Sequence, residues 1–155
     1  VPRSDMLYLP GGYPELHAAR LANNRRWLDS MRAFATAQKP MLAECGGMMV
    51  LFDTLTTLDG TAHTMHGLMP GKVTMRERRT AIGLHSLALP QGELRGHSFH
   101  YSKLATPLAP AWHCAPQRYG NGEAVYRKGP IVASYLHAYF PSNPAAAAAL
   151  LTGQS

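Results

Sequence analysis

The sequence is poor in cysteine and in long apolar runs, and each shortage excludes a class of protein. Its two cysteines, Cys45 and Cys114, cannot build the disulfide framework of a small secreted domain. No apolar run approaches the roughly 20 residues that a membrane-spanning helix needs. No basic stretch followed by an apolar segment marks an export signal. We therefore expect free thiols, a cytoplasmic location and no contact with a membrane.

Charged residues are also sparse, at 15% of the chain, and the net charge of +6 is spread along it. Basic side chains cluster only at 25–26 and 76–79. No recognition helix, zinc finger or aromatic–basic sheet motif accompanies them. We therefore expect no nucleic acid partner, although the basic surface could face an anionic substrate or an acidic partner domain.

Nucleotide-binding and metal-binding motifs are missing as well. Neither G-x-G-x-x-G nor G-x-x-x-x-G-K-[ST] occurs, so the common phosphate-binding loops are excluded. Two pairs of histidines, His63 with His66 and His97 with His100, are three residues apart. On a strand this spacing places the two rings on opposite faces, whereas a zinc site needs them on one side. We expect no metal site and no cofactor in this chain.

The length of 155 residues and the hydrophobic content of 46% suffice for one domain with a real core. Residues 1–4 are interpreted as a linker or a cloning remnant, and residues 5–155 as the domain. Apolar periodicity and the positions of Pro and Gly predict helices at 14–37, 48–55 and 141–151, and strands at 5–9, 41–44, 67–75, 80–89, 96–101, 124–127 and 131–136. Strands and helices alternate early and strands cluster in the middle, which predicts an α/β sandwich with a mixed sheet.

The most reactive side chain follows a buried strand and precedes two glycines and a helix. This order, Glu44-Cys45-Gly46-Gly47-Met48, is typical of a nucleophile elbow, whose sharp turn needs small neighbours. The N-terminus of the helix beneath the thiol would lower its pKa, and the N–H of Gly46 would point towards an oxyanion. A buried cysteine before a glycine turn can equally be a small core residue, so Cys45 alone leaves both interpretations open.

Two further strand ends offer groups that would complete such a site. Gly11 and Gly12 follow the first strand, and glycines let the backbone turn and present N–H groups to an oxygen. His137 follows the strand 131–136, and it could take the thiol proton and later protonate a leaving group. Taken alone, the pair of glycines also fits an ordinary strand-to-helix turn, and His137 also fits a structural histidine whose ring is hydrogen-bonded at a strand end. If these strands are parallel, their ends meet at one edge of the sheet, where ligands bind in open α/β folds.

Four segments of the chain together resemble one family of enzymes. They are Leu-Pro-Gly-Gly-Tyr-Pro-Glu at 9–15, Ala-Glu-Cys-Gly-Gly-Met at 43–48, Arg-Gly-His-Ser-Phe-His-Tyr-Ser at 95–102 and Ala-Ser-Tyr-Leu-His at 133–137. In this order they are similar to the class I glutamine amidotransferase domain of cobyrinate a,c-diamide synthases, from cobalamin biosynthesis. The resemblance implies a flavodoxin-like three-layer α/β sandwich with a mixed, largely parallel central sheet.

The resemblance also implies a chemistry and a set of partners. Glutamine would be hydrolysed through a cysteine thioester, and its ammonia would pass to an ATP-dependent synthetase domain that precedes this domain on the same chain. That separate domain would use ATP and Mg²⁺ to activate the a and c carboxylates of cobyrinate. Glutamine and the synthetase domain are the expected partners, and a homodimer is left open.

Residue by residue, the resemblance assigns Cys45 as the nucleophile and His137 as its base. Oxyanion and glutamine binding are assigned to five residues: Gly11, Gly12, Gly46, Arg95 and His100. Two positions depart from the family pattern, because Tyr139 and Ser98 stand where glutamate is usual or frequent. A Cys–His dyad is therefore expected. Glu44 should leave its strand on the face opposite Cys45 and act as a structural hydrogen-bond acceptor.

Two functions of other kinds stay open on the sequence. A domain of this fold could be a non-catalytic docking module, although loss of Cys45 or His137 would be its mark and both are present. It could also be a cysteine hydrolase that acts on peptides or small thioesters. Substrate tests and labelling of Cys45 would separate these functions from an amidotransferase.

Overall fold

The computed structural model of the chain describes residues 3–118 and 122–154. The strands in this part are β1 Leu7–Leu9, β2 Met41–Glu44, β3 Thr54–Thr56, β4 Ala62–Thr64, β5 Lys72–Met75, β6 Ala81–Leu89, β7 Gly92–His100, β8 Ser102–Ala105, β9 Trp112–His113, β10 Ala115–Pro116, β11 Ala124–Lys128, β12 Ile131–Ser134 and β13 His137–Ala138. The helices are α1 Ala18–Asn23, α2 Arg25–Thr36, α3 Gly46–Met49 and α4 Pro144–Thr152, with 3₁₀ turns at Pro14–His17 and Phe140–Ser142. The predicted linker at 1–4 and the predicted domain end at 155 include Val1, Pro2 and Ser155, which lie outside the described residues.

The long helix predicted at 14–37 is divided into three pieces. A 3₁₀ turn, Pro14–His17, leads into α1, which ends at Asn23. Asn24 then accepts a hydrogen bond from the N–H of Trp27 and caps α2. Asparagine is a strong N-cap because its side chain satisfies an orphan N–H. The prediction missed the break because Asn24 sits between two apolar-periodic segments.

The helix predicted at 48–55 is wrong in its bounds, because α3 ends at Met49. The carbonyls of Val50, Leu51, Phe52 and Asp53 accept hydrogen bonds from N–H groups of the segment 65–69. A non-local loop therefore satisfies the backbone groups that a longer helix would have paired internally.

The central sheet has the strand order β1-β2-β12-β11-β9. The strands β1, β2 and β12 are parallel, while β11 and β9 are antiparallel. The predicted hairpin is confirmed, since β11 pairs with β12 in antiparallel register. The carboxyl ends of the three parallel strands therefore meet at one edge, as expected for strands that run in the same direction.

The prediction of a largely parallel central sheet is wrong, because two of its four strand pairings, β12–β11 and β11–β9, are antiparallel. Two further sheets are mainly antiparallel. One has the order β10-β6-β7-β13 and the other the order β4-β3-β5-β8. The β6–β7 hairpin pairs nine residues of each strand in antiparallel register. The strand predicted at 67–75 is reduced to β5, because Gly67 and Gly71 adopt positive φ values before it.

Apolar layers cover both faces of the central sheet. Met41 and Ala43 of β2 pack with the helices α2 and α3, whereas Leu42 packs with α4 and the β6–β7 hairpin. This alternation follows from the two-residue period of a strand. Among the described residues, none of the helices is long and apolar enough to cross a bilayer.

Candidate active site

Cys45 stands at a sharp turn between β2 and α3. Its backbone has φ 46° and ψ −112°, a conformation that non-glycine residues rarely adopt. The N–H of Cys45 donates to the carbonyl of Ser134, at 2.8 Å, so the neighbouring strand β12 holds the turn. Strained backbone of this kind persists where the surroundings over-determine it, and it concentrates at active sites. The elbow geometry predicted from Cys45-Gly46-Gly47 is present.

The glycines around the elbow are required by close packing. A Cβ atom on Gly46 would collide with the backbone of Gly12, and one on Gly47 would lie 2.6 Å from the carbonyl oxygen of Pro10. A Cβ on Gly11 would collide with the ring of His137. The Gly11–Gly12 loop therefore lies between the elbow and His137 in direct contact with both.

Gly12 differs from its neighbours because a Cβ built on it meets nothing within 4 Å. Among the described residues, no backbone carbonyl accepts a hydrogen bond from its N–H. The Gly46 N–H lies close enough to Cys45 to form a hydrogen bond with its sulfur. Gly12 lines the cavity that contains the thiol and Gly46 packs against Gly12, so both N–H groups are candidate donors to an oxyanion.

One cavity contains both reactive side chains. Its volume is about 780 Å³, within the usual range of roughly 300–1,000 Å³ for small-molecule sites. It is lined from the elbow side by Gly11, Gly12, Cys45 and His137, and from the opposite side by the segment 97–102. The cavity therefore lies between the strand ends and the antiparallel β6–β7 hairpin.

The Cys45 thiol is buried, with 8% of the residue exposed. Burial raises its pKa to about 11, and the hydrogen bond from Gly46 only partly offsets this effect. The expectation that the N-terminus of α3 brings this pKa below its ordinary value is wrong, because burial outweighs the lowering effect of the Gly46 N–H at the start of α3. The thiol is protonated at rest, so it needs a base to become a nucleophile.

His137 has the environment of a neutral base. Burial lowers its pKa below the ordinary value, and repulsion from His97 and His100 lowers it further. Its ring stacks on His97, with ring centroids 4.9 Å apart and planes at 12°. A histidine held neutral near pH 7 can accept a proton from a thiol.

No carboxylate completes a triad within residues 3–118 and 122–154. The ring of His137 has no carboxylate hydrogen-bond partner there, and Tyr139, at the usual glutamate position, is 62% exposed. Glu44 accepts hydrogen bonds from the Tyr8 hydroxyl, at 2.7 Å, and from the Ala138 N–H, at 3.0 Å. The prediction that Glu44 is a structural acceptor is confirmed, and its bond to Ala138 fixes the backbone beside His137.

Of two side chains predicted to lie at the glutamine, the structure brings His100 to the cavity but not Arg95. The Arg95 side chain is 74% exposed, its Nε donates to Glu93 at 3.1 Å, and it does not line the cavity. Arg95 lies on the exposed face of β7, which also carries His97 and Phe99, but it is two residues farther along the strand than His97, the nearest residue on that face that lines the cavity. His100 does line the cavity, but both of its ring nitrogens are already hydrogen-bonded, to the Ser102 carbonyl and to Glu123.

The sequence analysis missed a buried polar cluster on this side of the cavity. Its members are His85, Ser98, His100, Ser102 and Glu123. Ser98 and His100 share the inward face of β7, which the two-residue period of that strand could have revealed. Glu123 comes from the segment before β11, and no local pattern links it to β7. No group of three or more His, Cys, Asp or Glu side chains in the described part of the chain is arranged to hold a metal ion.

Comparison with known proteins decides the family. The model of the CobB/CobQ-like glutamine amidotransferase domain matches residues 1–145. The chain belongs to this family. It is a glutamine amidotransferase domain, as the four sequence segments predicted.

Curated relatives of this amidotransferase domain are about half identical to it. A cobyrinate a,c-diamide synthase from Herminiimonas arsenicoxydans is 50% identical over 150 residues, which cover 96% of this chain and 34% of the relative. A hydrogenobyrinate a,c-diamide synthase from Pseudomonas aeruginosa is 50% identical over 97% of this chain and 35% of its own length. The predicted resemblance to these synthases is confirmed, and the chain spans about a third of their length.

Solved structures confirm the mixed α/β fold. A glutamine amidotransferase crystal structure has a TM-score of 0.61 at 16% identity, covering 96% of this chain and 78% of that one. A glutamine amidotransferase from Thermotoga maritima has a TM-score of 0.51 at 17% identity, covering 85% of this chain and 55% of its own. At these identities the likeness concerns the fold alone.

Proposed function

We propose that this domain hydrolyses glutamine at Cys45 and supplies the ammonia to a synthetase. The observation that carries the proposal is the junction of three strand ends at one cavity. There Cys45, the ring of His137 and the Gly11–Gly12 loop line a common space, and Gly46 packs directly against Gly12. A nucleophile, a base and oxyanion donors are the parts that acyl transfer needs.

The first half of the reaction forms a thioester and releases ammonia. His137 takes the proton of the Cys45 thiol while the sulfur attacks the side-chain amide carbon of glutamine. The carbonyl oxygen becomes an oxyanion, which the N–H groups of Gly12 and Gly46 stabilise. The tetrahedral intermediate collapses as His137 gives its proton to the amide nitrogen, so ammonia leaves and a γ-glutamyl thioester remains on Cys45.

The second half of the reaction regenerates the thiol. His137 removes a proton from water, and the resulting hydroxide attacks the thioester carbon in the same oxyanion pocket. The carbon–sulfur bond breaks, glutamate leaves, and Cys45 recovers its proton from His137. A base with a lowered pKa suits both halves, because it is neutral at the start of each.

The ammonia is consumed by another part of a longer protein. The relatives that are half identical to this chain are nearly three times as long, and their names specify a,c-diamide synthesis on cobyrinate or hydrogenobyrinate. We assign this domain to the same step of cobalamin biosynthesis, in a cytoplasmic enzyme with a flavodoxin-like amidotransferase core. ATP and Mg²⁺ would be used by the synthetase part.

An exposed apolar surface beside the cavity supports the proposal that a partner docks there. Ile82, Leu84, Phe99 and Tyr101 project from one face of the β6–β7 hairpin, and all four line the cavity mouth. The same face is polar farther along the hairpin, where Glu93 and Arg95 pair. Contiguous exposed apolar surface of this kind marks interaction sites. A partner seated there would shelter ammonia from the solvent.

The proposal is tested in the full-length protein with Cys45→Ala and, as a matched control, Cys114→Ala. Cys45→Ala should abolish glutamine hydrolysis and glutamine-dependent amidation, while amidation from added ammonia survives. Cys114→Ala should retain both activities, since Cys114 is buried away from the cavity. Full glutamine-dependent activity in Cys45→Ala would disprove the proposal, and loss of ammonia-dependent amidation would show damage to the synthetase part.

A further inference from the structure

His100 and Glu123 form a buried pair on the side of the cavity opposite the elbow. His100 ends β7, Glu123 precedes β11, and the residues are only 6% and 8% exposed. His100 Nε2 lies 3.1 Å from Glu123 Oε1. The backbone of Glu123 is itself held, because its carbonyl accepts a hydrogen bond from the Cys114 N–H at 2.8 Å. The proposed reaction gives neither side chain a role.

The hydrogen bonds of His100 determine which of its nitrogens carry protons. Nδ1 lies 2.9 Å from the carbonyl oxygen of Ser102, and a carbonyl can only accept, so Nδ1 must carry a hydrogen. Nε2 faces the Glu123 carboxylate, which accepts when ionised. Either His100 is doubly protonated beside a carboxylate, or Glu123 is protonated and donates to a bare Nε2.

The surroundings favour the charged arrangement. Burial alone would raise the pKa of Glu123, but the hydrogen bond and the charge of His100, with a smaller effect from Ser98, hold that pKa below its ordinary value. The His100 ring also lies flat on the ring of Tyr135, with centroids 3.7 Å apart and planes at 7°. An aromatic face attracts a cation.

A directional chain of hydrogen bonds follows from this assignment. His85 Nε2 lies 2.8 Å from the Ser98 oxygen, and when the Ser98 hydroxyl turns towards Glu123, whose pKa it helps to lower, His85 Nε2 is the donor to Ser98. His85 is then the tautomer with a bare Nδ1, and Nδ1 is the atom of His85 that has no partner among the described residues. The donations converge on Glu123 from Ser98 on one side and from His100 on the other.

The pair anchors the strand that contacts both reactive residues. Phe99, between Ser98 and His100, presents its carbonyl oxygen 3.9 Å from Cys45 Sγ. His97, two positions before Phe99, pairs with His137 in the β7–β13 register and stacks on its ring. The geometry points to His100 and Glu123 as a buried ion pair that positions the end of β7 against Cys45 and His137 for glutamine hydrolysis. This inference rests on the proposed glutaminase function.

Two substitutions of Glu123 distinguish the effect of its hydrogen bonds from the effect of its charge. Glu123→Gln can donate its amide to a bare His100 Nε2 and accept from Ser98, so it keeps both contacts without a charge. Glu123→Leu keeps the size but removes both contacts and leaves His100 Nε2 without a partner, which is costly in a buried site. Glu93→Gln and Glu93→Leu, on the exposed side of β7, are the matched controls.

Kinetics of the full-length protein give the first readout, with kcat corrected for the folded fraction. Glu123→Leu should lower kcat for glutamine hydrolysis on the order of 10²-fold, the effect of displacing reacting groups by about 1 Å, with little change in KM. Glu123→Gln should recover most of that loss, and the Glu93 variants should match the wild type. Equal losses in both Glu123 variants, or an unchanged kcat in Glu123→Leu, would overturn the positioning role.

Nitrogen NMR of the full-length protein with ¹⁵N-labelled histidine gives a second readout, which needs no turnover. The His100 signals are assigned by their disappearance in His100→Asn. Both ring nitrogens of His100 should carry hydrogen in the wild type at pH 7, and only Nδ1 in Glu123→Gln. A bare ring nitrogen in the wild type would overturn the ion pair. This result stands even if Cys45→Ala were to disprove glutamine hydrolysis.

Discussion

The two sides of the cavity are built from different kinds of structure. On one side, the ends of parallel strands deliver the Gly11–Gly12 loop, Cys45 and, just beyond β12, His137. On the other, the antiparallel β6–β7 hairpin delivers the segment 97–102 through pairing across the sheet. The first side carries the proposed reacting groups in short motifs, and the second contacts them through residues distant in sequence, for which we propose a positioning role. In this chain the proposed reacting groups therefore belong to short sequence segments, whereas the residues that contact them from the other side come from segments distant in sequence.

The largest expected difference between the two sides is between their stacked histidines. His137→Ala should lower kcat for glutamine hydrolysis on the order of 10³-fold, since it removes the general base. His97→Ala should cost less than about 10-fold, the scale of one stacked ring pair. Steady-state kinetics of the full-length protein measure both. If His97→Ala were as damaging as His137→Ala, the hairpin would also carry a reacting group.

A pair of glycines tests how tightly the elbow side is packed. Gly46→Ala should lower the free energy of unfolding by about 2–3 kcal/mol, because the new methyl group meets the backbone of Gly12, which cannot rotate away. Gly12→Ala should change it by less than about 0.5 kcal/mol, because its Cβ enters open space. Denaturant unfolding measures both. Equal stability of the two variants would show that the two loops are not in contact.

The same contrast explains which features could be predicted from the sequence. Cys45, His137 and the glycine loops follow strands in recognisable order, so their convergence needed only a parallel arrangement of β1, β2 and β12. The register of the β6–β7 hairpin cannot be read from the local sequence, and so Arg95 was expected at the substrate although its side chain is exposed and pairs with Glu93 outside the cavity. The central sheet was expected to be largely parallel, but two of its four strand pairings are antiparallel.

Charge and burial explain the other differences between the sequence predictions and the structure. The low pKa expected for the Cys45 thiol assumed a full helix beneath it, whereas burial dominates and raises that pKa. Glu123 gave no sequence signal, because it meets Ser98 and His100 only after the chain has folded. Glu123 is thus a buried carboxylate from outside the four family segments. It lies on the side of the cavity where Ser98 stands in place of the glutamate that is frequent in the family.

The pH dependence of glutamine hydrolysis should report the environment of His137. The free base must be neutral, so kcat/KM falls as the pH drops through the His137 pKa. Because burial and then repulsion from His97 lower this pKa, the acid limb should lie below pH 6.5, the ordinary value. His97→Ala removes one repulsion and should move the limb upward. An acid limb above pH 6.5 in the wild type would contradict the assigned environment.

The smallest expected effect belongs to Arg95. Arg95→Ala removes an exposed ion pair with Glu93 that lies outside the cavity, so KM for glutamine should change less than about twofold. Initial-rate measurements over a range of glutamine concentrations provide the check. A rise in KM above about tenfold would mean that Arg95 reaches the glutamine carboxylate after all, and that the hairpin moves towards the substrate.

The most direct test of the proposed chemistry is to locate the site of covalent capture. The full-length protein is treated with a glutamine analogue that carries an electrophile at the side-chain carbon, and the labelled peptide is identified by mass spectrometry. We predict label on Cys45 alone, prevented by excess glutamine and strongly slowed in His137→Ala, with Cys114 unlabelled. Label on Cys114, or failure of glutamine to protect Cys45, would contradict the assignment of Cys45 as the glutaminase nucleophile.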